Sequence, residues 1–177
     1  MPDFAYHFTD TARLPWILQS GELRPGANRI GGYPPDFLWA TINKLGSRSA
    51  SGNYSRSYRS GAIHLVRFTL HADDFEPWHE IVRRYPAWTP DHVERLEQAG
   101  AEPSSLWRCR DASLPRSHWI EIATRTYTNN AWRPLALDVS PTPCGDGFLG
   151  IVVDKRLYAS RQIDQGEGHP IAYELRL

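Results

Sequence analysis

The chain has 177 residues, 41% of them hydrophobic, with 20 basic and 20 acidic side chains and a formal net charge of zero. That length predicts a single domain with a substantial core, and the charge balance excludes a uniformly basic surface for nucleic acid or anionic membrane, leaving room only for a local patch. Cys109 and Cys144 are too isolated for a zinc knuckle or a disulfide framework. They read as free thiols in a reducing cytoplasm, and neither a basic-then-apolar leader nor an apolar run near the ~20 residues of a membrane span occurs. Seven tryptophans and fourteen prolines against a single methionine indicate a rigid, loop-rich fold with aromatic-lined surfaces.

In chain order, Phe4, Tyr6 and Phe8 alternate with Ala5, His7 and Thr9, the period-2 pattern of a strand. Asp10 and Thr11 are placed to cap a short helix with Pro15 in its first turn and Trp16, Ile17 and Leu18 on its buried side. Gly21 stands where a left-handed stop is needed. Residues 22–36 carry Pro25, Gly26, Gly31, Gly32, Pro34 and Pro35 and read as a loop, with Arg29 and Tyr33 as side chains suited to ion pairing or stacking. Phe37 to Ile42 reads as a buried strand. Residues 44–62 hold Lys44, Arg48, Arg56 and Arg59 among serines, glycines and tyrosines with no acid. This composition predicts a mobile surface loop, either a solvated linker or a lid over a phosphorylated ligand or nucleic-acid backbone.

Ile63 to Leu70 predicts another strand, with Arg67 either an edge charge or a group turned into a cleft. A short helix is expected through Trp78, Ile81 and Val82. A second helix starts at Thr89-Pro90-Asp91 and stops at Gly100. Residues 103–115 read as a connector with Trp107 as a packing plug. His118 to Ala123 predicts a strand that sets Ile120 and Ile122 on one face and Trp119, Glu121 and Ala123 on the other. Further strands are expected over 131–139, at an edge because of Pro134, over 148–153 and over 171–177. The total is a single α+β domain with a mixed or antiparallel split sheet of six or seven short strands and helices mainly in the N-terminal half.

The opening stretch FAYHFTDTARLPWILQSGELRP, a His-x-Thr strand followed by a short helix ending Ile-Leu-x-x-Gly-x-Leu, resembles the start of His-type ADP-ribosyltransferase-like proteins. That group includes DNA-targeting ADP-ribosyltransferase toxins and RNA 2′-phosphotransferases. The resemblance implies NAD⁺ as substrate, a ribose contact at His7 with Thr9 beside it, a nicotinamide pocket at Trp39 and Thr41, and Glu121 as the acid that stabilises the developing ribose charge. Glu167 and Glu174 are fallbacks for the acid, and Arg29 or Arg48 is placed to pair with the pyrophosphate. Each residue also has a plain structural alternative. His7 is then bonded to a carbonyl, Thr9 caps a turn, Trp39 is core, and Glu121 pairs with an arginine such as Arg125 or faces solvent.

Three functions follow. The first is NAD-dependent transfer of ADP-ribose to a protein or nucleic-acid acceptor, as in a toxin or phage–host conflict effector with an antitoxin or inhibitor protein as partner. The second is a binding module for a nucleotide, ADP-ribose or nucleic acid on the same scaffold. The third is a protein of purely structural role. No metal is expected, because the scattered histidines have no ligand spacing.

Overall fold

The computed structural model describes residues 3–26, 36–47, 55–163 and 172–177. Strand β1 (Phe4–Asp10) leads into helix α1 (Leu14–Ser20), which Gly21 ends in the left-handed conformation, φ 70°, with its N–H on the Ile17 carbonyl. Asp10 shapes the corner by accepting from the backbone N–H groups of Ala12 and Arg13, while Arg13, which caps nothing with its side chain, occupies the N-cap position itself. The chain continues through β2 (Glu22–Leu23), β3 (Leu38–Thr41), α2 (Arg56–Arg59), β4 (Leu65–His71), β5 (Glu76–Pro77), α3 (Trp78–Ile81) and α4 (Pro90–Ala99). Strands β6 (Trp107–Arg110), β7 (Leu114–Pro115), β8 (Trp119–Arg125), β9 (Arg133–Leu135), β10 (Thr142–Pro143), β11 (Phe148–Val153), β12 (Arg156–Ile163) and β13 (Ala172–Arg176) follow.

The result is α+β, with few helices and mostly antiparallel sheet. Seven strands form one sheet in the order β5-β6-β3-β1-β4-β8-β9, four form a second, β10-β11-β12-β13, and β2 pairs with β7. The strand count exceeds the expected six or seven because the region read as a connector holds β6 and β7, because β12 has no clean apolar alternation to announce it, and because β2, β5 and β10 are two-residue pairings too short to leave a pattern. Pro134 lies on the edge strand β9, where its missing N–H costs no ladder bond.

One face of the large sheet carries Ala5, Val66, Phe68, Leu70 and Ile122 against Leu14 and Leu18 of α1 and Ile151, Val153 and Tyr158 of the second sheet. The opposite face is covered over β4 and β8 by Trp132, which lies against Phe8, Arg67 and Arg125, and at the β3–β6 end by an aromatic cluster. There Phe37 packs among Trp78, Tyr85 and Trp88 at ring-centroid distances of 6.2, 5.0 and 6.0 Å. Most of this clustering is plain burial, with each well-oriented ring pair adding ~0.5–1.5 kcal/mol. Thr89 caps α4 through the His92 N–H as its sequence predicts. Gly100 ends that helix for a different reason from Gly21. Its φ is −65°, and a Cβ there would come within 2.4 Å of the Trp107 ring. The position therefore needs absence of a side chain more than backbone freedom.

Two further expectations are corrected. Within 44–62, Ser55 accepts from the Tyr58 N–H and starts a helical turn; Tyr58 is 3% exposed, and its hydroxyl donates to the Thr126 carbonyl at 2.9 Å. That half of the segment is anchored, and residues 48–54 lie outside the described residues. Arg67 is no edge or surface charge: β4 runs between β1 and β8, and the side chain is buried.

Candidate functional site

Strand register decides which side chains meet. Residues directly opposite one another across a sheet point to the same face, and their sequence neighbours point to the other. His7 stands opposite Phe68, which stands opposite Ile122; Tyr6 stands opposite Thr69, which stands opposite Glu121. These are adjacent rows of opposite sense. His7 and Thr9 therefore leave toward the core face, and Glu121 leaves toward the other. The expected convergence of His7 and Glu121 across one crevice is not found. The grouping of Trp119 with Glu121 fails as well, because the ladder steps from Glu121 to Trp119 while β4 advances one residue, from Thr69 to Leu70. Ile120 is the extra residue of this bulge, and it returns Trp119 to the face of Ile122 and Phe68.

β1 and β3 share one registered pair, Tyr6 with Thr41. Beyond it the imidazole of His7 bridges the seam, with Nδ1 2.7 Å from the Trp39 carbonyl. A carbonyl only accepts, so Nδ1 carries the proton and Nε2 is left as an acceptor. Burial lowers the His7 pKa, and this outweighs the opposing pull of the Trp39 carbonyl, with the Arg13 charge lowering it further. The ring is thus a neutral, oriented group. The structural alternative for His7, a carbonyl bond, is realised, without removing its Nε2 lone pair.

A cavity of about 360 Å³ opens at this parting, lined among others by Tyr6, His7, Trp39, Thr41, Glu102 and Trp107. Small-molecule pockets run from ~300 to 1,000 Å³, so the space suits a base-sized ring with its sugar rather than a whole dinucleotide. Its aromatic walls are fixed. The Trp39 indole N–H donates to Asp36, and its ring meets Trp107 edge-on at 6.0 Å and 85°. Glu102 accepts from the Asn43 amide at 3.0 Å, and the Asn43 N–H donates to Thr41 Oγ1 at 3.1 Å.

Beside the cavity, on the row of Tyr6, lies a charged cluster. Arg67 pairs with Glu121 Oε1 at 3.0 Å and donates to the Lys44 carbonyl at 3.2 Å. Its guanidinium lies 5.4 Å from the Tyr6 ring centre and 4.8 Å from that of Trp132. Thr69 donates to the same carboxylate oxygen at 3.3 Å. Glu121 is thus an ion-pair partner, of Arg67 rather than Arg125.

The cavity gathers His7, Trp39 and Thr41. Thr9 sits on the His7 face opposite Val66, away from that lining. Arg29, Tyr33, Arg48 and Glu167 lie outside the described residues, and Glu174 is exposed on β13 in the other sheet. Sequence reasoning missed Glu102 and Tyr6 as lining groups; Trp107 is the packing residue it was read as, buried in the aromatic cluster, but it stands on strand β6 and not in a connector. Glu102 carries no local signal, whereas the charge of Arg67 inside an otherwise apolar strand was a usable one. Among the described residues no cluster of three metal-ligating side chains occurs, and no helix is long and apolar enough to cross a membrane. No protein-family model matches the chain, and neither the curated proteins nor the solved structures give a match.

Proposed function

We propose that the protein binds a nucleotide, with a ligand ring seated in the cavity where β1 and β3 part, on an ADP-ribosyltransferase-like scaffold whose ligand is NAD⁺. The observation that carries this reading is the meeting of His7, Trp39 and Thr41 at one cavity, three positions that the opening resemblance singles out. The chemistry agrees. A neutral imidazole with a free Nε2 accepts a ribose hydroxyl, and Trp39 and Trp107 offer apolar walls to a planar ring. The decisive measurement is thermal denaturation with NAD⁺, ADP-ribose and nicotinamide. A ligand held only by the folded state raises Tm, by an amount equivalent to ~2.7 kcal/mol at a hundred times Kd. Trp39→Ala removes the shift if the ring sits there; absence of any shift with all three ligands ends the reading.

A second reading, transfer of ADP-ribose to a protein or nucleic-acid acceptor, draws support from Glu102. It is the carboxylate that shares the cavity lining with His7, and a carboxylate close to the scissile nicotinamide–ribose bond stabilises the cation-like sugar. Nicotinamide release lost in Glu102→Gln and retained in Glu121→Gln supports transfer through this cavity. Release that depends on Glu121 alone overturns it.

A further inference from the structure

We infer that the protein holds a phosphate group at a second place, built by Arg125 and Arg67 around the ring of Trp132. The two guanidinium carbons each lie 4.8 Å from the centre of that ring, and Arg67 and Arg125 are only 3% and 8% exposed. Arg67 has Glu121 as its counter-ion. Among the described residues no carboxylate reaches Arg125, and its recorded contact is the face of Trp132. Three buried N–H donors in this cluster, Arg67 Nε, Arg125 Nε and Trp132 Nε1, also have no acceptor. A ring face offsets only part of the cost of burying a cation. Among the described residues the cluster is one negative charge and several acceptor oxygens short.

A planar guanidinium fork matches the oxygens of phosphate or carboxylate. The surroundings favour the more highly charged anion. Helix α2 presents Arg56 and Arg59 to solvent, and its Tyr58 is tied to the carbonyl of Thr126, the residue after Arg125. The neighbouring Tyr127 ring meets Tyr58 edge-on at 5.6 Å. The basic helix is therefore held beside the buried pair by the packing of one tyrosine. Of the cavity-lining residues the site shares Tyr6, whose ring Arg67 overlies, and Phe8, whose ring packs on Trp132 at 5.8 Å. It does not rest on the nucleotide reading of the cavity.

The test is titration calorimetry of the full chain with inorganic pyrophosphate, then with ADP and with a short single-stranded oligonucleotide. Pyrophosphate is expected to bind, to weaken at least ten-fold in Arg125→Gln, and to weaken less in Arg125→Lys, which keeps the charge and loses the fork. Binding is expected to fall as salt rises and to be unchanged in Trp39→Phe, whose ring packs in the aromatic cluster at the β3–β6 end and not against Trp132. Preference for ADP over the oligonucleotide identifies the phosphate as a free nucleotide's; the reverse, with affinity falling steeply in salt, identifies a nucleic-acid backbone. Either supports the site when Arg125→Gln weakens it and Trp39→Phe does not. Pyrophosphate that fails to bind, or binds Arg125→Gln and Arg125→Lys as tightly as the parent, overturns it. Because no described carboxylate pairs with Arg125, Arg125→Gln is expected to remain folded in phosphate-free buffer, as a thermal melt on the same sample checks.

Discussion

Glu121→Gln separates two accounts of one carboxylate. If Glu121 is the counter-ion of Arg67, neutralising it leaves a guanidinium that is 4% exposed beside an amide that cannot compensate its charge. Breaking a buried pair by removing one partner costs ~3–5 kcal/mol. Here the Glu121 side chain is 38% exposed, and Arg67 keeps the Lys44 carbonyl and two ring faces, so solvent and these partners reduce the loss to about 2 kcal/mol. For a domain of this size each 1 kcal/mol moves Tm by ~2–4 °C, which gives a fall of about 4–8 °C. The assay is thermal denaturation of the parent, Glu121→Gln, Arg67→Met and the double variant. The double variant should lose less than the two singles summed, since it buries no unpaired charge. An unchanged Tm in Glu121→Gln, together with loss of nicotinamide release, refutes the ion-pair account and returns Glu121 to the role of a catalytic acid.

Four other outcomes are expected. Burial depresses the folded pKa values of His7 and His64 below 6.5. The unfolded chain therefore takes up protons first, and the stability that these neutral rings contribute is present above about pH 6.5 and lost as pH falls toward the folded values. Tm measured from pH 8 down to 5 should decline, with a shallower slope in His7→Gln. Gly46→Ala should cost about 1–3 kcal/mol in urea denaturation, because Gly46 has φ +73° and a Cβ there would stand 2.9 Å from the Phe8 ring. Tyr58→Phe removes one hydrogen bond to Thr126 and should cost ~1 kcal/mol, while increasing proteolysis after Arg56 and Arg59 as the helix detaches. Phe37→Ala, at the centre of the aromatic cluster, should cost ~3–5 kcal/mol, measured by calorimetry.

The chain's local grammar was legible. Alternation through Phe4–Asp10, the left-handed stop at Gly21, the Thr89-Pro90 helix start and the proline-marked edge strand each depend on interactions within a few residues, so a sequence window contains their cause. β12 was not legible, because its eight residues RLYASRQI become a strand by pairing with β11 and β13. The anchoring of Tyr58 was hidden for the same reason: its partner, Thr126, is 68 positions away.

For the site, the amino-acid order fixed that His7 and Thr9 share a face of β1, since side chains alternate whatever the neighbours do. Whether Glu121 joins them depends on the pairing of β1 with β4 and of β4 with β8, and a slip of one residue reverses the answer. That parity is set by packing the apolar face that carries Ala5, Phe68 and Ile122 against α1 and the second sheet. Tertiary structure thus took the acid away from the imidazole and gave it to Arg67, and it brought Glu102, from a turn with no periodicity of its own, to the cavity instead.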